Sequence, residues 1–209
     1  MKNKLWKIFV AAGAVMIAAA LGLFISNKLE SRRAEEYSAE ALEVLKENIT
    51  VETAAENDET GDDLFSEYEE PAEKKLIDVD GYRYCGYLTI EPLGLELPVI
   101  DGFSYDGLKR APCRYSGSAE ENDLIIAAHN YDPHFGRINE LSAGERIVFT
   151  DTSGRSFNYK VSEVEVIDGR AVESMFSGAS EEWALTLFTC TLSGMSRVTV
   201  RAEFESDSK

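Results

Sequence analysis

The chain has 209 residues, with 21 Lys and Arg against 38 Asp and Glu, so its formal net charge is −17. That length suits one modest domain plus tails, and 44% hydrophobic with 10% aromatic residues excludes a chain disordered throughout. The acidic balance excludes ordinary nucleic-acid binding, which needs clustered Lys and Arg. Three Cys exclude a disulfide-dense scaffold, and two His leave any multi-His zinc site needing both.

The charge divides the chain into three unlike parts. Residues 1–27 carry three Lys and no acid, residues 28–75 six bases and 16 acids, and residues 76–209 12 bases and 22 acids. Within the first part, residues 8–25 (IFVAAGAVMIAAALGLFI) hold no charged or strongly polar side chain. Eighteen residues of helix cover about 27 Å, close to the hydrocarbon thickness of a bilayer. Lys2, Lys4 and Lys7 precede the run and mildly favour a cytoplasmic amino terminus. Ala18-Ala19-Ala20 offers the alternative of a cleaved signal peptide, but the apolar run continues past it to Ile25, which favours an uncleaved signal-anchor. Either way, residues 28–209 are expected outside the cytoplasm.

Residues 28–75 are expected to form a stalk. Leu29, Ala34, Tyr37, Ala41, Leu42 and Leu45 recur at three- to five-residue spacing, which predicts a juxtamembrane helix with a face open to self-association. Residues 50–73 then carry ten acids, no base and few large apolar side chains. Such a segment cannot bury enough surface to offset its ordering entropy and reads as a disordered, self-repelling spacer.

From Leu76 the pattern changes to short alternating runs separated by turn residues. Residues 87–90 and 95–100 flank Glu91-Pro92-Leu93-Gly94, and residues 146–150 and 156–166 flank Asp151-Thr152-Ser153-Gly154. Residues 184–189 and 198–204 flank Ser193-Gly194, and 124–128 form a further apolar run. Many short strands with little helical period predict a mostly-β domain, an antiparallel sandwich or closed barrel.

Alternation also places three reactive side chains at strand ends. His129 closes the 124–128 run, Cys190 closes the 185–189 run, and Arg197 opens the last run, whose Val198, Val200, Ala202 and Phe204 form a core face. A thiol, an imidazole and a guanidinium together suit nucleophilic acyl transfer, with Cys attacking, His moving the proton and Arg donating to an oxyanion. Read singly, a strand Cys is a small core residue and a lone His is structural.

At these residues the sequence resembles the sortase family, of a class-B-like or unclassified Gram-positive kind. Thr186-Leu187-Phe188-Thr189-Cys190 looks like the sortase signature Thr-Leu-x-Thr-Cys, with an Arg opening the next strand. Residues 86–99 (GYLTIEPLGLELPV) resemble the first barrel strands of sortases, and residues 122–130 (NDLIIAAHN) their histidine strand. The resemblance covers roughly residues 81–205 and implies a closed eight-stranded β-barrel at 76–209 behind an amino-terminal transmembrane helix and stalk. It implies a thiol transpeptidase that cleaves a Leu-Pro-x-Thr-Gly-like sorting signal. Cys190 would form a thioester with the signal's Thr, His129 would serve the leaving and incoming amines, and Arg197 would orient the signal. Ala128, Asn130 and Thr189 are expected to line the substrate groove. Implied partners are signal-bearing surface proteins or pilins and an amine acceptor such as a cell-wall precursor, with no cofactor; acidic loops that bind Ca2+ in some sortases find no regular ligand spacing here.

The sequence departs from the family pattern in two places. Arg197 lies only seven positions after Cys190, a shorter loop than in several sortase classes, and Asp63-Leu64-Phe65 only faintly resembles an aromatic lid. Arg201 shares a strand face with Arg197 but lies farther from the loop. His134 is expected to be exposed in a turn-rich loop, and Cys85 and Cys113 are open to a disulfide or to burial as thiols. The alternatives are a non-catalytic extracellular β-module on a stalk, and an L,D-transpeptidase, which Thr189 before Cys190 disfavours.

Overall fold

Short strands bounded by turns close here into a barrel. In the computed structural model, which describes residues 2–58, 75–171, 173–174 and 183–205, nine strands follow one long helix. They are β1 (Ile77–Val79), β2 (Tyr82–Ile90), β3 (Leu95–Ile100), β4 (Cys113–Ser116), β5 (Leu124–Ala128), β6 (Arg146–Asp151), β7 (Ser156–Asp168), β8 (Leu185–Cys190) and β9 (Ser196–Phe204). Their order is β1-β2-β3-β4-β5-β8-β9-β7-β6, and β6 pairs again with β2. Strands β2 to β9 therefore form a closed eight-stranded barrel, with β1 folded as a hairpin onto the start of β2.

Strand β2 serves both partners on one edge. Tyr82–Tyr84 pair with β1, and from Gly86 onward the same edge pairs with β6. The chain bulges between Tyr84 and Gly86 to make the change. Gly86 has φ +150, and a Cβ there would lie 2.2 Å from the Thr150 carbonyl oxygen, so only glycine fits the seam.

Two pairings differ from the antiparallel expectation. β3 meets β4 in parallel at Ile100↔Cys113, and β5 pairs with β8 in parallel over its whole length. The chain between β5 and β8 contains the β6–β7 hairpin and returns to the same end of the barrel, which antiparallel meander connections do not do. The sequence pattern leaves out β1 and β4, which have only three and four residues and no clean alternation.

The core accounts for β5 being apolar on both faces. Leu124, Ile126 and Ala128 point into the barrel with Leu88, Ile90, Leu97, Val99, Phe135, Leu187, Val200 and Ala202. Ala127 lies on the outside, in a second buried cluster with Cys113, Ala111 and Leu108. That outer cluster is capped by helix α1 (Lys2–Asp58) and by the short helix α2 (Tyr105–Leu108).

Helix α1 runs as one continuous element through the expected anchor and into the expected stalk. Residues 8–25 are exposed along an apolar stretch long enough to cross a membrane. Further on, Ala34, Ser38, Ala41, Leu45 and Ile49 share a face at three- and four-residue spacing and are buried against the barrel. The stripe that suggested self-association is thus covered by the chain's own barrel, because small residues at 34, 38 and 41 let the helix approach closely. Arg110 adds a clamp, its guanidinium lying 4.3 Å from the Tyr37 ring centroid and 4.6 Å from that of Tyr82. The helix is described to Asp58; the rest of the expected spacer, with the lid-like Asp63-Leu64-Phe65, lies outside the described residues.

Candidate functional site

The parallel register of β5 and β8 assembles the site. Ala128 is paired with Thr189, so the next residues, His129 and Cys190, leave the two strands side by side at the same end of the barrel. On its other edge β8 runs antiparallel to β9, and Cys190 is paired directly with Arg197. With neighbouring strands about 4.8 Å apart, the three residues form a short row across three strands. Cys190 and Phe188 lie on the outer face, and the Cys190 thiol is exposed.

His129 is half-buried, and its ring stacks on Tyr131 with centroids 4.8 Å apart and planes 29° from parallel. Burial holds its pKa below the usual histidine value; the Glu30 carboxylate opposes this and Lys109 adds to it. The imidazole is therefore neutral at pH 7 and able to accept a proton.

Arg197 is held by the loop that precedes it. Its Nη1 donates to the carbonyls of Gly194 and Ser196, each at 3.0 Å. Gly169, at the end of β7, gives the guanidinium its space, since a Cβ there would come within 2.9 Å of Nη1. Arg201 has a different environment. It is 1% exposed, donates from Nε to Glu165 at 3.0 Å and from Nη1 to Thr186 at 3.1 Å, bonds the Ser174 carbonyl, and lies over the Trp183 ring. Arg201 is a cross-link between β7, β8 and the segment joining them.

Two of the expected groove residues require correction. Ala128 and Thr189 are buried on the barrel's inner face, opposite Cys190, and the Thr189 hydroxyl donates to the Ala128 carbonyl at 2.8 Å. They join the two strands behind the site and do not wall a groove. Asn130 is half-buried at the bend directly after His129. His134 also departs from expectation, being 0% exposed under α1 with Nε2 3.1 Å from the Ser38 hydroxyl. Cys85 packs against the barrel core and Cys113 lies in the outer cluster, so the wall separates them and no disulfide joins them.

Three features were missed by sequence reasoning. Tyr131 and Glu30 bear on His129 from the following loop and from α1. An aromatic row also runs away from Cys190 over the outer face. Phe188 meets Tyr115 edge-to-face at 5.3 Å, Tyr115 meets Phe103 at 5.3 Å, and Phe103 meets the exposed Tyr105 at 5.6 Å. Phe188, two residues before Cys190, carried the one usable signal by alternation. Among the described residues no group of three or more His, Cys, Asp or Glu is placed to hold a metal.

Comparison with known proteins gives a consistent result. A family model described as "Sortase domain" matches residues 88–205. Sortase D of Bacillus subtilis (strain 168) is 28% identical over 107 residues, covering 50% of this chain and 53% of the relative, so the match spans about half of that protein's length. The Clostridium perfringens Sortase D5 transpeptidase superposes with a TM-score of 0.59 at 20% identity, over 82% of this chain and 99% of that one. Sortase C of Streptococcus pneumoniae, whose structure is described in terms of catalysis and pilin substrate specificity, gives 0.54 at 20% identity over 78% and 88%.

Proposed function

Since the chain belongs to the sortase family of transpeptidases, we propose that it is a membrane-anchored cysteine transpeptidase acting on a Leu-Pro-x-Thr-Gly-like sorting signal, with Cys190 as nucleophile and His129 as proton carrier. The observation that supports this reading is the β5–β8–β9 register, in which Cys190 is paired with Arg197 and follows Thr189, itself paired with the Ala128 that precedes His129.

The chemistry follows from that row. His129 takes the thiol proton as Cys190 Sγ attacks the carbonyl carbon of the signal's Thr. The negative charge then forming on the carbonyl oxygen is met by Arg197 and by backbone N–H near Cys190, fixed donors that stabilise the tetrahedral state. Collapse breaks the Thr–Gly bond, and the proton on His129 passes to the departing amine. A thioester remains on Cys190. An incoming amine attacks it, His129 accepts the amine's proton, and the thiol is restored when that proton returns to sulfur. Peptide upstream of the scissile bond would lie along the aromatic row from Phe188, an apolar floor continuous with the nucleophile.

The anchor reading assigns residues 8–25 to the membrane as a single crossing, with the barrel outside the cytoplasm. Signal-bearing surface proteins or pilins are the substrates, and a cell-wall or protein amine is the acceptor. The test is turnover of a Leu-Pro-x-Thr-Gly-like peptide by the full chain and by Cys190→Ala. Loss of cleavage in a variant with an unchanged circular dichroism spectrum supports the reading, and undiminished cleavage sinks it.

A further inference from the structure

Resting on the reading of His129 as proton carrier, we propose that helix α1 belongs to the catalytic apparatus, with Glu30 and Tyr131 as positioning residues that fix the imidazole beside Cys190. A histidine at an exposed strand end is free to turn about two side-chain torsions, and only one orientation serves the thiol. The Tyr131 ring covers one face of the imidazole at 4.8 Å and removes that freedom on its side. The Tyr131 hydroxyl in turn lies 3.4 Å from Glu30 Oε2 on α1.

Three observations make this more than packing. Tyr131 is buried without joining either of the two apolar clusters of the barrel, and the aromatic partners of its ring are His129 and His134. Its backbone is pinned, because its carbonyl accepts from the amides of His134 and Gly136, each at 2.9 Å. The same loop is tied to α1 a second time where His134 meets Ser38, two helical turns beyond Glu30. Helix α1 therefore grips the loop after His129 at two points, and Glu30 is only five residues, about 7.5 Å of helix, beyond Ile25 at the end of the apolar stretch. The element read as the membrane anchor reaches the site directly.

The experiment is steady-state transfer by the full chain in detergent micelles, using a Leu-Pro-x-Thr-Gly-like peptide and recording kcat and KM apart. Tyr131→Leu should lower kcat about 100-fold, the loss for a catalytic group misplaced by roughly 1 Å, with KM unchanged. Tyr131→Phe and Glu30→Ala should each cost roughly fivefold through the one shared hydrogen bond. The double variant should then cost no more than Glu30→Ala alone, since Tyr131→Phe removes only a contact that Glu30→Ala has already removed.

A pH profile adds a readout that a merely structural role would not move. The groups facing His129 are Glu30 from α1, Lys109 after α2, His134 in its own loop and Cys190 on β8. Glu30→Gln removes the one carboxylate among the described residues that supports the imidazolium, so the acid limb of kcat should move to lower pH. Wild-type kcat in Tyr131→Leu, additive losses in the double variant, or an unmoved acid limb would each overturn the inference. His129→Ala separates the two levels. If it keeps turnover, the underlying reading of His129 fails; if it is inactive while Tyr131→Leu is unimpaired, only the positioning role fails.

Discussion

Replacing His134 with Gln should remove a pH-dependent loss of stability that the buried imidazole imposes. The Ser38 hydroxyl donates to the Arg110 carbonyl at 2.8 Å, so its oxygen accepts from His134 Nε2–H at 3.1 Å. That network assigns the neutral tautomer and leaves Nδ1 as a buried lone pair with no hydrogen-bond partner among the described residues. Protonation would place a charge and an unsatisfied N–H there. Burial accordingly pushes the His134 pKa down to about 4 from 6.5; the Ala34 carbonyl opposes the shift and His129 adds to it. The folded pKa lies below the unfolded one, so the unfolded chain takes up the proton first as pH falls. Stability is full above about pH 6.5 and is lost progressively toward pH 4. A shift of about 2.5 units at 1.36 kcal/mol each amounts to about 3 kcal/mol. Urea unfolding of the full chain in micelles, followed by Trp fluorescence from pH 7.5 to 4, measures it. Wild type should lose about 3 kcal/mol more than His134→Gln over that range, the contributions of other groups cancelling in the difference. Parallel pH curves for the two proteins would refute the reasoning.

Other outcomes follow from the same geometry. Leu45→Ala removes a fully buried side chain from the α1–barrel contact and should cost about 2–5 kcal/mol in urea unfolding. The two arginines should separate: Arg201→Met breaks a buried network and should cost about 3–5 kcal/mol of stability. Arg197→Ala should leave stability within about 0.5 kcal/mol while lowering kcat by 100-fold or more, the order found for a lost oxyanion donor. Phe188→Ala opens the aromatic floor and should raise peptide KM roughly tenfold with little change in kcat, as read from initial rates over a peptide series.

Alternation carried most of the fold, because half-buried strands write their period into the chain. The β6–β7 hairpin, β3 and the last two strands lie within a residue or two of their sequence expectation, whereas β2 begins five residues earlier than expected, at Tyr82. The positions of His129, Cys190 and Arg197 were also legible as three strand ends, although only the β5–β8 parallel pairing, which joins Ala128 to Thr189 61 positions apart, explains why these ends lie at the same end of the barrel. What escaped was long-range. Ser38 and His134 are 96 residues apart, and Glu30 and Tyr131 are 101 apart. No local period reports such a contact, and the stripe on α1 shows only that something covers it. Ala128 and Thr189 were misplaced for a related reason, since neighbours of a reactive residue on a strand point to the opposite face.

The most direct measurement is the intact mass of the full chain after brief incubation with a Leu-Pro-x-Thr-Gly-like peptide. A thioester on Cys190 should add the mass of the fragment ending at Thr, vanish on addition of an amine nucleophile, and be absent from Cys190→Ala. An unmodified wild-type chain, or an adduct carried by Cys85 or Cys113, would contradict Cys190 as the nucleophile of this sortase.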